Sequence, residues 1–267
     1  MIRQAIGTKW VVALGVVSVV ALVGAYAALS HHQHQVNPDD RTIPSWSQLK
    51  DGFVKIVGVN ARSDERWLVV DAKATGKRLF LGLLCGIGGA MLLGMMMGCL
   101  APIEAVLHPP LALLAKLPPT AMLAVFFVLV GTDTNMYVAM IAFGVLPSLA
   151  QSVYLAVKDV PDEFLYKAYT LGASHLEVVW NVVFRQVLPK LIDSVRLQLG
   201  PAMVYLIAAE MVVGDVGFGY RIRLQSKLLN MDVVYPYLVI LAVFGFTMDY
   251  ALLRVQRKVC PWYANDK

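Results

Sequence analysis

Charge is what this sequence has least of: 15% of its 267 residues are Asp, Glu, Lys or Arg, while 58% are hydrophobic. Water-soluble domains carry about 25% charged and about 45–50% apolar residues, so this chain has too little polar surface to dissolve as a monomer. A mean hydropathy of +0.63 says the same. Cysteine is scarce as well. Three cysteines form an odd set with no pairing pattern, which excludes a disulfide scaffold. Cys85 and Cys99 share one apolar run, about 21 Å apart if helical, and read as small core residues. Gly-x-x-x-x-Gly-Lys-Ser/Thr occurs nowhere, so the chain does not cradle a nucleotide by that route. The net charge of +5 comes without a basic stripe interleaved with aromatics, which argues against nucleic acid as a partner. His31, His32 and His34 stand together in a polar stretch without cysteine or regularly spaced carboxylates, the pattern of a solvated linker and not of a metal site. Clustered catalytic side chains and inverted repeats are also missing, which disfavours two rival readings, a polytopic membrane enzyme and an autonomous ion-coupled carrier.

What the sequence has in abundance is apolar runs near the ~20 residues that cross a bilayer as a helix. Trp10 to Leu29, after Arg3 and Lys9, is longer than the about 7–15 residues of a signal-peptide core and lacks a small-residue cleavage site, so it reads as an uncleaved first span. From Ser30 to Lys77 the chain is polar, with Pro38, Asp39, Asp40 and Pro44 as turn signals and helix-like apolar spacing from Trp46 to Val59. This predicts an extramembrane segment with an amphipathic helix. Leu79 to Leu100 is a second span rich in glycine, from Gly82 to Gly98, and small residues let membrane helices approach closely. Ala101 to Val130 is apolar but interrupted by Pro102, Pro109, Pro110, Pro118 and Pro119. Irregular backbone at membrane depth survives only where protein or a wet cavity satisfies it. Met136 to Val157, Leu197 to Val213 and Val234 to Leu253 complete an expected all-α, polytopic membrane fold of about six transmembrane helices. Its divisions are 1–29 (N-terminal end and first span), 30–77 (extramembrane segment) and 78–267 (core).

Between the fourth and fifth spans, Lys158 to Arg196 is strongly charged, with apolar residues at helical spacing and Gly172 interrupting them. It predicts two short amphipathic helices with a bend. Lys and Arg divide almost evenly between the two faces of the membrane, so charge alone does not orient the chain. An acid inside a span needs a partner or a wet cavity. Glu210 is therefore expected to pair, to stay protonated or to sit at a gate, and Asp249 to pair with a basic residue or reach the interface.

Tyr166-Lys-Ala-Tyr-Thr-Leu-Gly172-Ala-Ser, followed by Val187-Leu188-Pro189, resembles the EAA loop of binding-protein-dependent ABC importer permeases. That loop reads Glu-Ala-Ala, three residues, Gly and, after a helix, an apolar residue and Leu-Pro. Tyr166 and Lys167 stand where the family has Glu and Ala, and the Gly172 to Pro189 interval is longer by about one helical turn. Pro118-Pro119 ahead of an apolar run, Gly131 at its end, Asp162-Glu163, Ala209-Glu210 and Gly217-Phe-Gly219-Tyr220 are similar to the nitrate, sulfonate and taurine branch. The resemblance implies a type I ABC importer permease fold in the bacterial cytoplasmic (inner) membrane, with no catalysis and no cofactor on this chain. It implies ATP bound by partner ABC ATPase subunits, a second permease subunit (a homodimer), and a periplasmic or lipid-anchored substrate-binding protein, all amid membrane lipid. Glu163, Ala168, Gly172, Leu188 and Pro189 would form the ATPase-coupling loop within 158–196, facing the cytosol. Segment 30–77 would face the periplasm, so that cysteines placed at Ser63 and Ser174 would label from opposite sides. Pro118, Pro119 and Glu210 become candidates for a translocation core or gate, and the cargo a small anion.

Overall fold

Apolar sequence in a bilayer has few structural options, because every backbone N–H and C=O must be satisfied within the chain. The computed structural model describes residues 7–38, 40–59 and 64–263, and these are almost entirely helical. Arg3, Asp39 and Ser63 lie outside them. The helices, in chain order, are α1 (Thr8–Val36), α2 (Trp46–Val57), α3 (Trp67–Cys99), α4 (Ala101–Leu114), α5 (Leu123–Val130), α6 (Thr134–Lys158), α7 (Asp162–Thr170), α8 (His175–Val178), α9 (Phe184–Val213), α10 (Phe218–Lys227) and α11 (Met231–Val259). A π turn, Val179–Val183, joins α8 to α9. Among the described residues, five stretches are long and apolar enough to cross a membrane: within α1, α3, α6, the continuous His175–Val213 helix and α11.

The chain forms two compact units, one made of residues up to Trp67 with Leu224–Leu238, the other of Leu68–Arg223 with Val239–Lys267. In the first unit the apolar part of α1 from Lys9 to Ala25 is exposed on every side, as a helix surrounded by lipid should be. Its last turns carry the histidines: His34 Nδ1 lies 2.8 Å from the Ser30 carbonyl and His31 Nε2 lies 3.0 Å from Gln35. These residues are therefore helix, and the expected linker begins only at Asn37. Asp40 takes hydrogen bonds from Thr42 Oγ1 and Ile43 N, with Thr42 the main reason its carboxyl sits below the usual range. Ser45 starts α2 with a capping box, its hydroxyl accepting from Gln48 N while its own N–H reaches Gln48 Oε1.

The second unit is built on a glycine seam. A β-carbon on Gly82, Gly94 or Gly98 would come within 2.5–2.6 Å of the Cβ of Ile141, Val153 or Val157, so α3 lies directly on α6. The three pairs keep a constant offset along both helices, so α3 and α6 run parallel. Parallel neighbours in a membrane require the chain to return across the bilayer between them. Only α4 and α5 can carry it: 14 and 8 residues give about 21 and 12 Å, together close to the ~30 Å hydrocarbon thickness. The third apolar run is thus a broken span, and the break falls at 115–122, around Pro118 and Pro119. Pro109 and Pro110 lie inside α4 and do not end it. Glu104 of α4 holds the end of α6 through Lys158 (2.8 Å) and Tyr154 (2.5 Å).

α9 runs antiparallel to α6, as the contacts Gly144–Tyr205 and Ser148–Gln198 show, and antiparallel to α11, tied by Pro189–Gln256 and Arg196–Asp249. The buried core is the seam of these helices, with Leu79, Met97, Tyr137, Met140, Leu149 and Leu206 among its members. Two expectations change. Cys85 and Cys99 are exposed, and of the three only Cys260 is buried. Residues 67–77 belong to α3, because Asp71, Thr75 and Arg78 find buried polar partners there and need no water.

Candidate functional site

The first site is the hairpin between α6 and α9. Lys190 closes its base on Asp159 at 3.0 Å. Pro161 precedes α7, whose first turn carries Asp162 and Glu163 and whose last carries Lys167, each charge facing the helix end that favours it. The exit is a Schellman turn: Gly172 N donates to Tyr169 O and Ala173 N to Ala168 O, at 2.9 and 3.1 Å. That turn requires a left-handed residue, and Gly172 has φ +85°. Ser174 then caps the next helix by a capping box with Glu177. From there the chain does not break into a second short helix as the sequence suggests. It continues through the π turn into α9, so the hairpin is rigidly continuous with a membrane span 39 residues long.

No residue of α7 is buried. The hairpin exposes Phe164, Tyr166, Leu171 and, at the start of the long helix, Leu176 and Trp180, with Leu171 88% exposed and Leu176 81%. Glu163 is exposed in the first turn of α7, Ala168 half-buried and Gly172 exposed at the bend. Leu188 and Pro189 lie elsewhere, in the packed part of α9. Pro189 O accepts from Gln256 Nε2 of α11 at 2.9 Å. Four residues on, Asp193 accepts from Tyr263, and Arg196 grips Asp249 through Nε and Nη2 at 2.8 and 3.0 Å. Positions 189, 193 and 196 share one face of α9, so this helix is fastened to α11 through Gln256 and Asp249 and to the segment just after α11 through Tyr263. Beyond these ties the two helices enclose an apolar groove of about 780 Å³, lined by Leu199, Met203, Ile207 and Phe246, with the Arg196–Asp249 pair at one end.

The second site surrounds Glu210, which is fully buried. Its carboxylate accepts from Thr75 Oγ1 at 2.9 and 3.0 Å, Arg78 Nη1 at 2.9 Å and Gly219 N at 3.0 Å. Asp71, also fully buried, accepts from Gly217 N at 3.1 Å and from Arg221 Nε at 2.9 Å. Arg78 further donates to Val216 O at 2.7 Å and stacks 4.0 Å above the Tyr137 ring. Phe218 N donates to Thr75 Oγ1. Asp71, Thr75 and Arg78 stand at i, i+4 and i+7 on α3, one face holding one turn. A β-carbon on Gly217, which has φ +120°, would come 2.5–2.6 Å from the Glu210 carboxylate. The two buried carboxylates and two guanidinium groups cancel, and exposed Asp215 adds a further negative charge 3.6 Å from Arg78, so the cluster offers no net attraction to an anion; it binds the α9–α10 turn to α3. Glu210 is paired, one of the three outcomes its sequence context allowed. Pro118 is exposed; Pro119 is buried, its Cγ 3.0 Å from where a Gly144 β-carbon would lie and the Tyr205 ring closer still, at 2.5 Å. The residues that engage Glu210 are on α3 and the 214–219 turn. Sequence reading missed Asp71, Thr75, Arg78 and Arg221; their signal was the helical spacing of the first three just ahead of an apolar run.

Residues 89–260 match the family described as the binding-protein-dependent transport system inner membrane component. The taurine transport system permease protein TauC of Escherichia coli (strain K12) is 26% identical over 224 residues, 84% of this chain and 81% of that protein. A putative aliphatic sulfonates transport permease protein, SsuC of Bacillus subtilis (strain 168), is 26% identical over 185 residues, 69% of this chain and 67% of its own. Among solved structures, an inward-facing MetNI methionine ABC transporter superposes with a TM-score of 0.62 at 18% identity, covering 72% of this chain and 97% of that one.

Proposed function

Because the chain belongs to the binding-protein-dependent transport system inner membrane component family, we propose that it forms the bilayer pathway for a small sulfonate-like anion and is driven through the α7 hairpin by an ATPase subunit. It is a multi-pass permease subunit of an ABC importer, not an enzyme. The anion is suggested by the taurine and aliphatic sulfonate relatives; its delivery by a substrate-binding protein, the bacterial inner membrane as location and pairing with a second permease copy follow from the same family reading. ATP is bound by the partner ATPase, since this chain lacks a phosphate-cradling loop.

One observation carries the mechanism. A nine-residue helix with no buried residue is turned by a Schellman glycine directly onto a 39-residue membrane helix. Exposed side chains such as Leu171 and Leu176 suit a protein–protein contact, and a continuous helix carries displacement along its length. Push on α7 and α9 must follow, taking α11 with it through Gln256 and Asp249. The neutral cluster at the far end of α9 holds the α9–α10 turn to α3, which gives the lever a fixed end. Proteoliposomes holding this chain, its ATPase and its binding protein should take up taurine or an alkanesulfonate only with ATP, and Leu171→Arg should abolish uptake while the folded permease is retained. Uptake that proceeds without the ATPase, or at full rate in Leu171→Arg, would overturn the proposal.

A further inference from the structure

Helix α2 lies between two membrane spans, and its surface is divided in a way that one partner does not explain. Gly52 and Ile56 are buried; Gly52 packs against the Asp232 carbonyl at the start of α11, and Lys55 pairs with Asp232 at 3.0 Å. Beside that seam runs a second apolar stripe. Trp46, Phe53 and Val57 fall within about 40° of one another on the helix, yet all three are exposed, Trp46 at 55% and Phe53 at 48%. Lys50 flanks this stripe, while Asp51 and Gln48 lie on the opposite side.

The depth at which α2 is held is fixed by α1. Tyr26 Oη donates to Pro44 O at 2.7 Å, Ser30 Oγ to the same carbonyl at 3.1 Å, and the Tyr26 and Trp46 rings meet edge-on at 5.6 Å. Tyr235 joins them, 5.9 Å from Tyr26. Tyr26 stands ten residues before the end of α1, about 15 Å back along the helix. It lies about one helical turn before Leu29, where the apolar run ends, and below His31, His32, Gln33 and His34. Pro44, held by Tyr26 and Ser30, brings the start of α2 back to the level of the last apolar turn of α1. A cluster of Tyr, Trp and Tyr at one level is the composition of that boundary.

We infer that α2 lies in the plane of the bilayer surface with Trp46, Phe53 and Val57 immersed at the headgroup–acyl boundary and Lys50 reaching to anionic headgroups. A helix with aromatic and aliphatic residues on one face and charge on the other binds in this way, and the lysine stem covers apolar surface while its ammonium stays with the phosphates. The carboxylate of Asp51 faces away, as an anionic surface demands. The helix is an anchor that sets the height of the α1–α3 connection.

Spin labels at Phe53→Cys and Asp51→Cys, in a background with Cys85, Cys99 and Cys260 changed to Ala, test this in nanodiscs of phosphatidylethanolamine and phosphatidylglycerol. The ratio of oxygen to nickel-chelate accessibility should be several-fold higher at position 53 than at 51. Equal ratios, or position 53 shielded from both reagents as under a second copy or another protein, would overturn the inference. The unmodified chain gives an independent reading. A lipid with a photoreactive group at the acyl–headgroup boundary should label peptide 46–57, and absence of label there while α1 is labelled would contradict it.

Discussion

Glu210 shows how a single buried acid takes its meaning from its neighbours. Thr75, Arg78 and the Gly219 amide satisfy it completely, so it has nothing left to offer a passing anion. Removing one partner of such a pair strands the other charge, at a cost of about 3–5 kcal/mol, whereas removing both is often close to neutral. Glu210→Gln should therefore lower the thermal stability of the purified permease sharply, and the double change of Glu210→Met with Arg78→Met should recover most of the loss; the cargo preference of whatever folds should stay the same. Thermal unfolding in detergent with a competition uptake assay measures both. The two left-handed glycines separate cleanly. At Gly172 the φ of +85° is surrounded by open space, so Gly172→Ala should cost only the roughly 1–2 kcal/mol of a left-handed residue and leave a folded chain. At Gly217 the added carbon overlaps the Glu210 carboxylate, and Gly217→Ala should give little folded protein by size-exclusion chromatography.

Among the elements, the α3–α6 seam settles the topology. Gly94 sits against Val153, while Gly88 on the other side of α3 has nothing near it. Gly94→Val should prevent α3 from seating, and Gly88→Val should be neutral, as judged by yield of monodisperse protein. Glycine in the second span was legible as a packing signal; its register was not, because register depends on which β-branched residue of α6 faces each gap. The amphipathic helix after the first span was legible from apolar spacing between Trp46 and Val59. The fate of the coupling segment was less so. A capping box at Ser174 and Glu177 announces a helix start, but nothing local says that the helix runs on to Val213, since Pro189 and Pro201 lie inside it and are tolerated only because neighbouring helices satisfy the freed groups.

For the molecule as a whole, the near balance of Lys and Arg survives the pairing of charges. Arg78 and Arg221, both on the face opposite the coupling hairpin, are neutralised by Glu210 and Asp71, so they are not free charges of the kind that orients a membrane protein. The α7 side has its own neutralised cations, Lys158 with Glu104, Lys190 with Asp159 and Arg196 with Asp249, so pairing leaves the count nearly even and the orientation rests on the family reading. A cysteine at Lys167 should then be protected, and one at Ser47 labelled, when intact spheroplasts meet a membrane-impermeant thiol reagent. The membrane class and the main apolar spans were readable from composition and run length alone. The Glu210 cluster was not, because its four charges are spread from residue 71 to residue 221 and only folding brings them together. The central claim is that ATP-driven motion enters through the exposed face of α7, and site-specific photo-crosslinking from Leu171 tests it most directly. With the ATPase subunit co-expressed, a photoreactive residue at 171 should join permease to ATPase, and one at the equally exposed Leu197 on the membrane helix should not. Crosslinking at 197 but not at 171 would contradict the account.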